Sequence, residues 1–379
     1  LKRRILILAG EASGDQHGAR VVEAVQVRRP EVSWVGLGGP ELEALGVETF
    51  AGLDELAVMG FAEVIRHLPF FWKLERQVLA ELDSGRIDLV LAVDYPGFNL
   101  RIAKAARERG IPVLFYIAPQ VWAWKAHRAA ALARDADHIA VILPFEPPIF
   151  EAEGGTVTFV GHPLKDRDEI PEPGALRKEL LEEFGVQAET PLLALLPGSR
   201  RQELGRHLEL FVRAGEELIR RIPDIQPVLA TAPGVDDGPL RATGLPVTSR
   251  TRELLTEARV ALVKSGTSTL EATMADVPFV MAYRTSALTW MMARRLVQVD
   301  HIALANLVAG RRVVPEFLQG EATAETLGAA LAEIAVEGER RTAMLEGLSG
   351  IRGALGDPGA ASRVAEIALE LLDASGEGT

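Results

Sequence analysis

Val260-Ala-Leu-Val-Lys-Ser-Gly-Thr-Ser-Thr-Leu-Glu271 is the stretch on which the reading of this chain turns. An apolar run enters a turn of small residues and continues as a helix. A strand–turn–helix of that kind leaves backbone N–H groups available to a phosphate. Ser265, Gly266, Thr267 and Ser268 add hydroxyls and permit close backbone approach. Glu271 falls about one helical turn further on, where a carboxylate can take the two hydroxyls of a ribose. Taken alone, the segment reads first as an ordinary helix start with Ser or Thr at the N-cap. Its surroundings decide.

Outward from this stretch, short Leu-, Ile- and Val-rich runs alternate with longer amphipathic ones, the pattern of a parallel sheet with crossover helices. The first half predicts strands at Ile5–Ala9, Val32–Leu37, Leu89–Val93, Val113–Ile117, His138–Ile142 and Val157–Val160. Helices are predicted at Gly18–Val27, Phe71–Leu82, Asn99–Arg109 and Lys125–Ala133. A polar, proline-bearing stretch, Pro163–Pro173, then reads as a linker. The second half restarts the alternation with strands at Leu192–Leu196, Val228–Thr231, Val260–Val263 and Phe279–Ala282. The expected organisation is α/β: two doubly wound, Rossmann-like domains facing a cleft, over residues 1–165 and 174–355. A last helix within 356–379 packs back on the first domain. Ligands are expected beyond the carboxyl ends of the strands.

At 379 residues, two domains are the ordinary expectation, and 48% hydrophobic with 25% charged residues describes a chain with ample core. Lys+Arg 41 against Asp+Glu 53 leaves a net charge of −12, which argues against a general nucleic-acid binder. With no cysteine there is no disulfide framework, thiolate metal site or Cys nucleophile. No apolar run approaches the ~20 residues of a membrane-spanning helix. The opening Leu1-Lys-Arg-Arg-Ile-Leu-Ile-Leu-Ala9 is too short for a signal peptide and reads as a first strand.

Several loops after strands are unusual. Gly10-Glu-Ala-Ser-Gly-Asp-Gln-His-Gly18 is glycine-rich, yet it matches neither the dinucleotide fingerprint nor the P-loop spacing. It reads as a tight turn, facing a ligand or simply opening a helix. After Leu89–Val93 comes Asp94-Tyr-Pro-Gly-Phe-Asn99. Asp94 there faces the cleft mouth and can take a proton from an attacking hydroxyl, with Asn99 left to cap the next helix. Ala118-Pro-Gln-Val-Trp-Ala-Trp-Lys-Ala-His-Arg128 places two tryptophans beside Gln120, Lys125 and Arg128, a mixture suited to sugars and phosphates. Pro197-Gly-Ser-Arg-Arg201 carries a hydroxyl and two guanidiniums, and arginine is the preferred bidentate partner of phosphate. Joined to Ser265–Glu271 it forms a diphosphate clamp from two distant loops. Asp135-Ala-Asp137 has a metal-binding spacing but precedes a strand and reads as a helix cap. Val58, Met59, Phe61, Val64, Ile65, Leu68, Phe70, Phe71 and Trp72 form an apolar segment. It is either one face of a core helix or a patch for acyl chains and a bilayer surface, with Arg294-Arg295 and Arg311-Arg312 adding charge.

These motifs together resemble the bacterial lipid-A-disaccharide synthases. The likeness runs from Ala9-Gly-Glu-Ala-Ser-Gly-Asp15 through Leu56-Ala-Val-Met-Gly60, Pro119-Gln-Val-Trp-Ala-Trp124, Leu143-Pro-Phe-Glu146 and Val160-Gly-His-Pro163. It continues through Leu196-Pro-Gly-Ser-Arg200, Ser265-Gly-Thr and Asn306-Leu-Val-Ala-Gly-Arg311 to Leu318-Gln319. The resemblance implies a GT-B glycosyltransferase in the cytoplasm, peripheral to the inner membrane. It would join UDP-2,3-diacylglucosamine to 2,3-diacylglucosamine 1-phosphate, releasing UDP and the β-1,6-linked disaccharide 1-phosphate. It implies Asp94 as general base, and Gly14, Arg200, Ser265, Gly266, Thr267, Glu271 and Asn306 at the UDP. Ser13, Gln120, Trp122, Lys125 and Arg128 fall to the acceptor and its phosphate. Val58, Met59, Phe61, Ile65, Leu68, Phe70, Phe71 and Trp72 fall to acyl chains or membrane. No cofactor or metal is expected, nucleic acid is not a partner, and a homodimer is left open. The chain departs from the family at Gly97, where many relatives carry a second Asp, at Lys125, often Arg, and at Lys264, commonly a small residue. The rival readings are a related N-acetylglucosamine transfer, a UDP-sugar 2-epimerase, or a non-catalytic sugar-nucleotide-binding scaffold.

Overall fold

The structure is a computed structural model. It describes residues 3–52, 61–122, 127–166, 174–232, 235–286, 289–291 and 300–375, with the backbone alone at 61–68 and 127. The chain forms two compact units, Leu1–Asp166 with Leu355–Thr379, and Arg167–Ala354.

The first unit is built on a seven-stranded sheet in the order β3-β2-β1-β4-β5-β6-β7, with every pairing parallel. Its strands are β1 (Arg4–Ala9), β2 (Ser33–Leu37), β3 (Glu48–Thr49), β4 (Leu89–Val93), β5 (Val113–Tyr116), β6 (His138–Val141) and β7 (Val157–Phe159). Side chains alternate between faces along a strand, and both faces of a parallel sheet need cover, which is why the central strands are almost continuously apolar. In β1, Leu6 and Leu8 join one core with Val78, Phe98, Ile102 and Leu132. Ile5, Ile7 and Ala9 join the other with Val21, Val25, Val364 and Leu372. That second layer pairs the helix Ala12–Arg28 with the C-terminal helix Ala360–Ala374. Asp166 caps the C-terminal helix, accepting from the Gly359 and Ala361 N–H groups at 2.6 and 3.1 Å. Arg363 ties it to the Val160 carbonyl at 2.8 Å.

The second unit has a six-stranded parallel sheet, β10-β9-β8-β11-β12-β13. Here β8 is Leu192–Leu196, β9 Gln226–Ala230, β10 Val247–Thr248, β11 Ala258–Lys264, β12 Phe279–Tyr283 and β13 Glu316–Leu318. Helices Arg201–Ile219 and Ala324–Ala335 pack against one another on this sheet.

Each strand predicted from an apolar run is present, and each sheet is doubly wound. Three readings need correction. The Gly10–Gly18 segment is a turn only at Gly10 and Glu11: the helix already begins at Ala12, and Gly14 and Gly18 serve packing. A Cβ on Gly18 would lie 3.1 Å from Ile7 Cδ1. Asn99 does not cap its helix, which starts at Pro96 with Tyr95 at the N-cap. Its buried amide donates to the Leu8, Val93 and Asp94 carbonyls, at 3.1, 3.3 and 2.7 Å, and so sews β1 to the end of β4. Asp135 ends the helix His127–Asp135 and pairs with Arg134, while Asp137 accepts from Val113 N at 2.8 Å.

Candidate active site at two strand switch points

In each sheet the strand order reverses once, between β1 and β4 and between β8 and β11. Loops leaving adjacent strands in opposite directions open a crevice there, where open α/β sheets bind ligands. Asp94 stands at the first crevice. Ala9 pairs with Val93, so the loops after β1 and β4 emerge side by side. They touch closely: a Cβ on Gly10 would lie 2.4 Å from the Tyr95 ring. Asp94 and Tyr95 both take left-handed backbone angles, φ 48° and 49°. Outside glycine this conformation costs of order 1–2 kcal/mol per residue, and such strain gathers at functional sites. The bend turns the chain sharply from strand to helix. Burial, with the Glu11 carboxylate adding repulsion, pushes the Asp94 carboxyl up to about 6, against a smaller opposing effect of the Tyr95 N–H. A carboxyl tuned there is ionised at neutral pH yet basic enough to accept a proton.

The next strand end is strained as well. Ile117, a β-branched residue, has φ 64° and starts the loop whose Ala118 and Val121 are buried in the core. Gln120 between them is exposed, as a contact residue requires. Trp122 donates through Nε1 to Glu146 Oε1 at 3.3 Å and packs edge-on against Phe145 at 5.3 Å. Glu146 is buried, which pushes its carboxyl up to about 7; the Leu143 N–H and Trp122 oppose that shift without cancelling it. Arg128 is half-buried on the helix His127–Asp135, and Lys125 lies outside the described residues.

The second crevice brings the two phosphate-type loops together. Leu196 pairs with Val263, so Pro197–Arg201 and Lys264–Glu271 leave neighbouring strands. Glu203 joins them. Its Oε2 accepts from Ser199 N at 3.0 Å and its Oε1 from Lys264 Nζ at 2.8 Å. Gly198, φ 136°, must be glycine, because a Cβ there would come within 2.6 Å of Glu203 Cβ. One turn along the same helix, buried His207 links a third loop. Its Nδ1 meets the Glu203 carbonyl at 2.8 Å, and its Nε2 accepts from Arg284 N at 2.9 Å. Burial lowers its pKa, keeping the ring in the neutral form this arrangement requires. Arg284 in turn lines an open cavity of about 360 Å³ with Arg206, Thr285, Ser286, Gln319 and Gly320.

Of the expected site residues, Arg200, Ser265, Gly266, Thr267 and Glu271 thus follow the two strand ends of one crevice, and Ser13 and Asp94 those of the other. Ser13 is exposed on the first turn of its helix. Two of the expected UDP contacts are buried. Gly14 is buried, and a Cβ there would sit 3.6 Å from Ala9 Cβ and from the Val93 carbonyl, so it lets the helix close on the strand ends. Asn306 is fully buried with both ends of its amide engaged. Its Oδ1 accepts from Val313 and Val314 N–H at 2.7 and 2.9 Å, and its Nδ2 donates to Val314 O and Glu316 Oε1 at 2.9 and 2.6 Å. It is a brace for the loop. The apolar segment also divides. Phe70 and Phe71 pack partly onto the core, whereas Trp72 is 58% exposed. Val58 and Met59 lie outside the described residues, as do the side chains of Phe61, Ile65 and Leu68. Among the described residues no helix is long and apolar enough to cross a membrane.

Sequence reading missed Glu203, His207, Glu146 and Glu316, since each acts through a partner that only the fold brings near.

The chain is similar to named relatives and to solved structures. A protein of Geobacter metallireducens named lipid-A-disaccharide synthase is 39% identical over 98% of this chain and 97% of the relative. One of the same name from Myxococcus xanthus is 38% identical over 97% of each. In fold, the chain is similar to the UDP-GlcNAc 2-epimerase of Neisseria meningitidis bound to UDP-GlcNAc, with TM-score 0.67, 12% identity and coverage of 97% and 100%. It is likewise similar to the calicheamicin glycosyltransferase, with TM-score 0.58, 18% identity and 99% of each chain covered. These are proteins of the GT-B architecture. The model of the lipid-A-disaccharide synthetase family matches residues 5–351, and the chain belongs to that family.

Proposed function

We propose that the chain joins UDP-2,3-diacylglucosamine to 2,3-diacylglucosamine 1-phosphate, inverting the anomeric carbon in one in-line displacement. Asp94 takes the proton of the acceptor 6-hydroxyl as its oxygen bonds to the donor C1. The bond from C1 to the diphosphate oxygen breaks, and UDP leaves. Arg200 and the backbone of Ser265–Thr267 meet the charge that develops on the leaving diphosphate, and Glu271 takes the ribose. The loop with Gln120 and Trp122, followed by Arg128, receives the acceptor. Trp72, exposed on the helix Phe61–Asp83, is offered to acyl chains at the cytoplasmic face of the inner membrane.

The observation that carries this reading is Asp94: a half-buried carboxylate on a strained strand end, with its pKa raised to about 6. The experiment is incubation with both diacylated substrates, with and without EDTA, following UDP release and the mass of the product. UDP release with a disaccharide 1-phosphate, unchanged by EDTA, is expected. Turnover of UDP-N-acetylglucosamine without an acylated acceptor would instead point to the epimerase or a related transfer.

A further inference from the structure

Lys264 closes β11 directly before the small-residue turn, and its side chain is only 16% exposed. Its ammonium sits among side chains of its own unit. It lies 5.8 Å from the centroid of the Tyr283 ring and 3.6 Å from where a Cβ on Gly266 would sit. The cation therefore sits beside the glycine of the turn. What holds it there is Glu203, 2.8 Å away, itself fixed by the Ser199 N–H. Burial would raise the Glu203 carboxyl, but the Lys264 hydrogen bond and charge, Ser199 N–H and Arg200 outweigh it and leave it lowered. One carboxylate thus sits among an ammonium, an amide and a guanidinium charge, the set of partners that a phosphate oxygen would choose.

We propose that Lys264 contacts the diphosphate of the nucleotide directly, and that Glu203 is a positioning residue holding its ammonium beside Gly266. The assignment rests on the reading of this unit as the UDP site. Chemically, it adds a point charge to the oxygens that leave with the sugar bond, supplementing Arg200. Lys264 shares that charge between Glu203 and the diphosphate when nucleotide is bound.

Calorimetric binding of uridine, UMP and UDP to the full chain tests it. K264M is expected to weaken UDP about tenfold, the scale of one charge-assisted contact, and uridine hardly at all. K264R, which keeps the charge, should recover most of the loss. E203Q should change UDP affinity in the wild-type background but not in the K264M background. Equal losses for uridine and UDP in K264M, or no loss for UDP, would overturn the contact. An equal effect of E203Q in both backgrounds would overturn the positioning role. If K264M does not fold, K264Q against wild type across the three ligands decides, since a contact predicts losses that grow with phosphate number. A wild-type protein with no affinity for UDP would remove the donor reading itself. One that binds UDP while K264M binds it equally would remove only this assignment.

Discussion

A carboxylate acting as base at neutral pH must be ionised but not strongly acidic, and an unperturbed Asp near 3.9 is too acidic for the purpose. Asp94 answers this by burial and by the Glu11 charge, which carry it to about 6. The same shift fixes two pH dependences. The native state holds the Asp94 proton more tightly than the unfolded chain does. Its contribution to stability is therefore greatest below the unfolded pKa and is lost as pH rises through the native value. Replacing it by Asn, which cannot ionise, should raise the stability near pH 8 by an amount of order 3 kcal/mol, read as a higher melting temperature, and make little difference below about pH 4. Catalysis runs the other way. The wild-type kcat/KM should rise through about pH 6 to a plateau, whereas D94N should lose turnover by at least about a hundredfold and show no such limb. A folded D94N with near-normal turnover would remove Asp94 as the base. Higher stability with lower activity is the signature of a group held in a costly state for its chemistry.

At the scale of elements, residues 302–316, which include the helix Leu304–Ala309, are held together by buried polar groups. Glu316, the first residue of β13, accepts from the Ile302 and Ala303 N–H groups at 3.0 and 3.1 Å and from Asn306 at 2.6 Å. Removing the Asn306 amide leaves two backbone N–H groups, one carbonyl and a half-buried carboxylate short of a partner. N306A should cost about 2–4 kcal/mol in thermal or denaturant unfolding. UDP affinity measured well below the melting temperature should stay near the wild-type value. A large loss of UDP affinity in a stable N306A protein would return Asn306 to the ligand. The central strands were legible in the sequence because a strand covered on both faces is continuously apolar, as Leu192–Leu196 is. The edge strands β3 (Glu48–Thr49), β10 (Val247–Thr248) and β13 were not, being two or three residues long and partly polar. The glycines of 10–18 were misread as turn formers, because close helix–strand packing and tight turns ask for the same residue. The loops of the site were legible one by one. Their pairing was not, since it follows from strand order, and Glu203 meets Lys264 across 61 positions of chain.

At the scale of the whole molecule, the order of the chain and the order of its cores differ. The first unit is completed only by the last helix, whose Val364, Ala365, Ala368 and Leu372 are fully buried against β1, β4 and the helix Ala12–Arg28. The second unit closes without it. The two cores are therefore separate in what they require, and a chain ending at Ala354 loses one wall of the first core while keeping every residue of the second. Burying four apolar side chains contributes several kcal/mol, comparable to the whole stability of a domain. Such a truncated chain is expected to lose the cooperative unfolding of the first unit and to retain that of the second. If the donor reading is correct, UDP should raise the surviving transition, by about 2.7 kcal/mol at a hundredfold excess over Kd. Scanning calorimetry of the truncated and full-length chains, with and without UDP, reads both effects. A truncated chain with no UDP-dependent transition, beside a full chain that has one, would show that the nucleotide needs more than Arg200, Lys264 and the Ser265–Thr267 turn. A truncated chain that keeps two transitions would show instead that the C-terminal helix is an accessory to the first core.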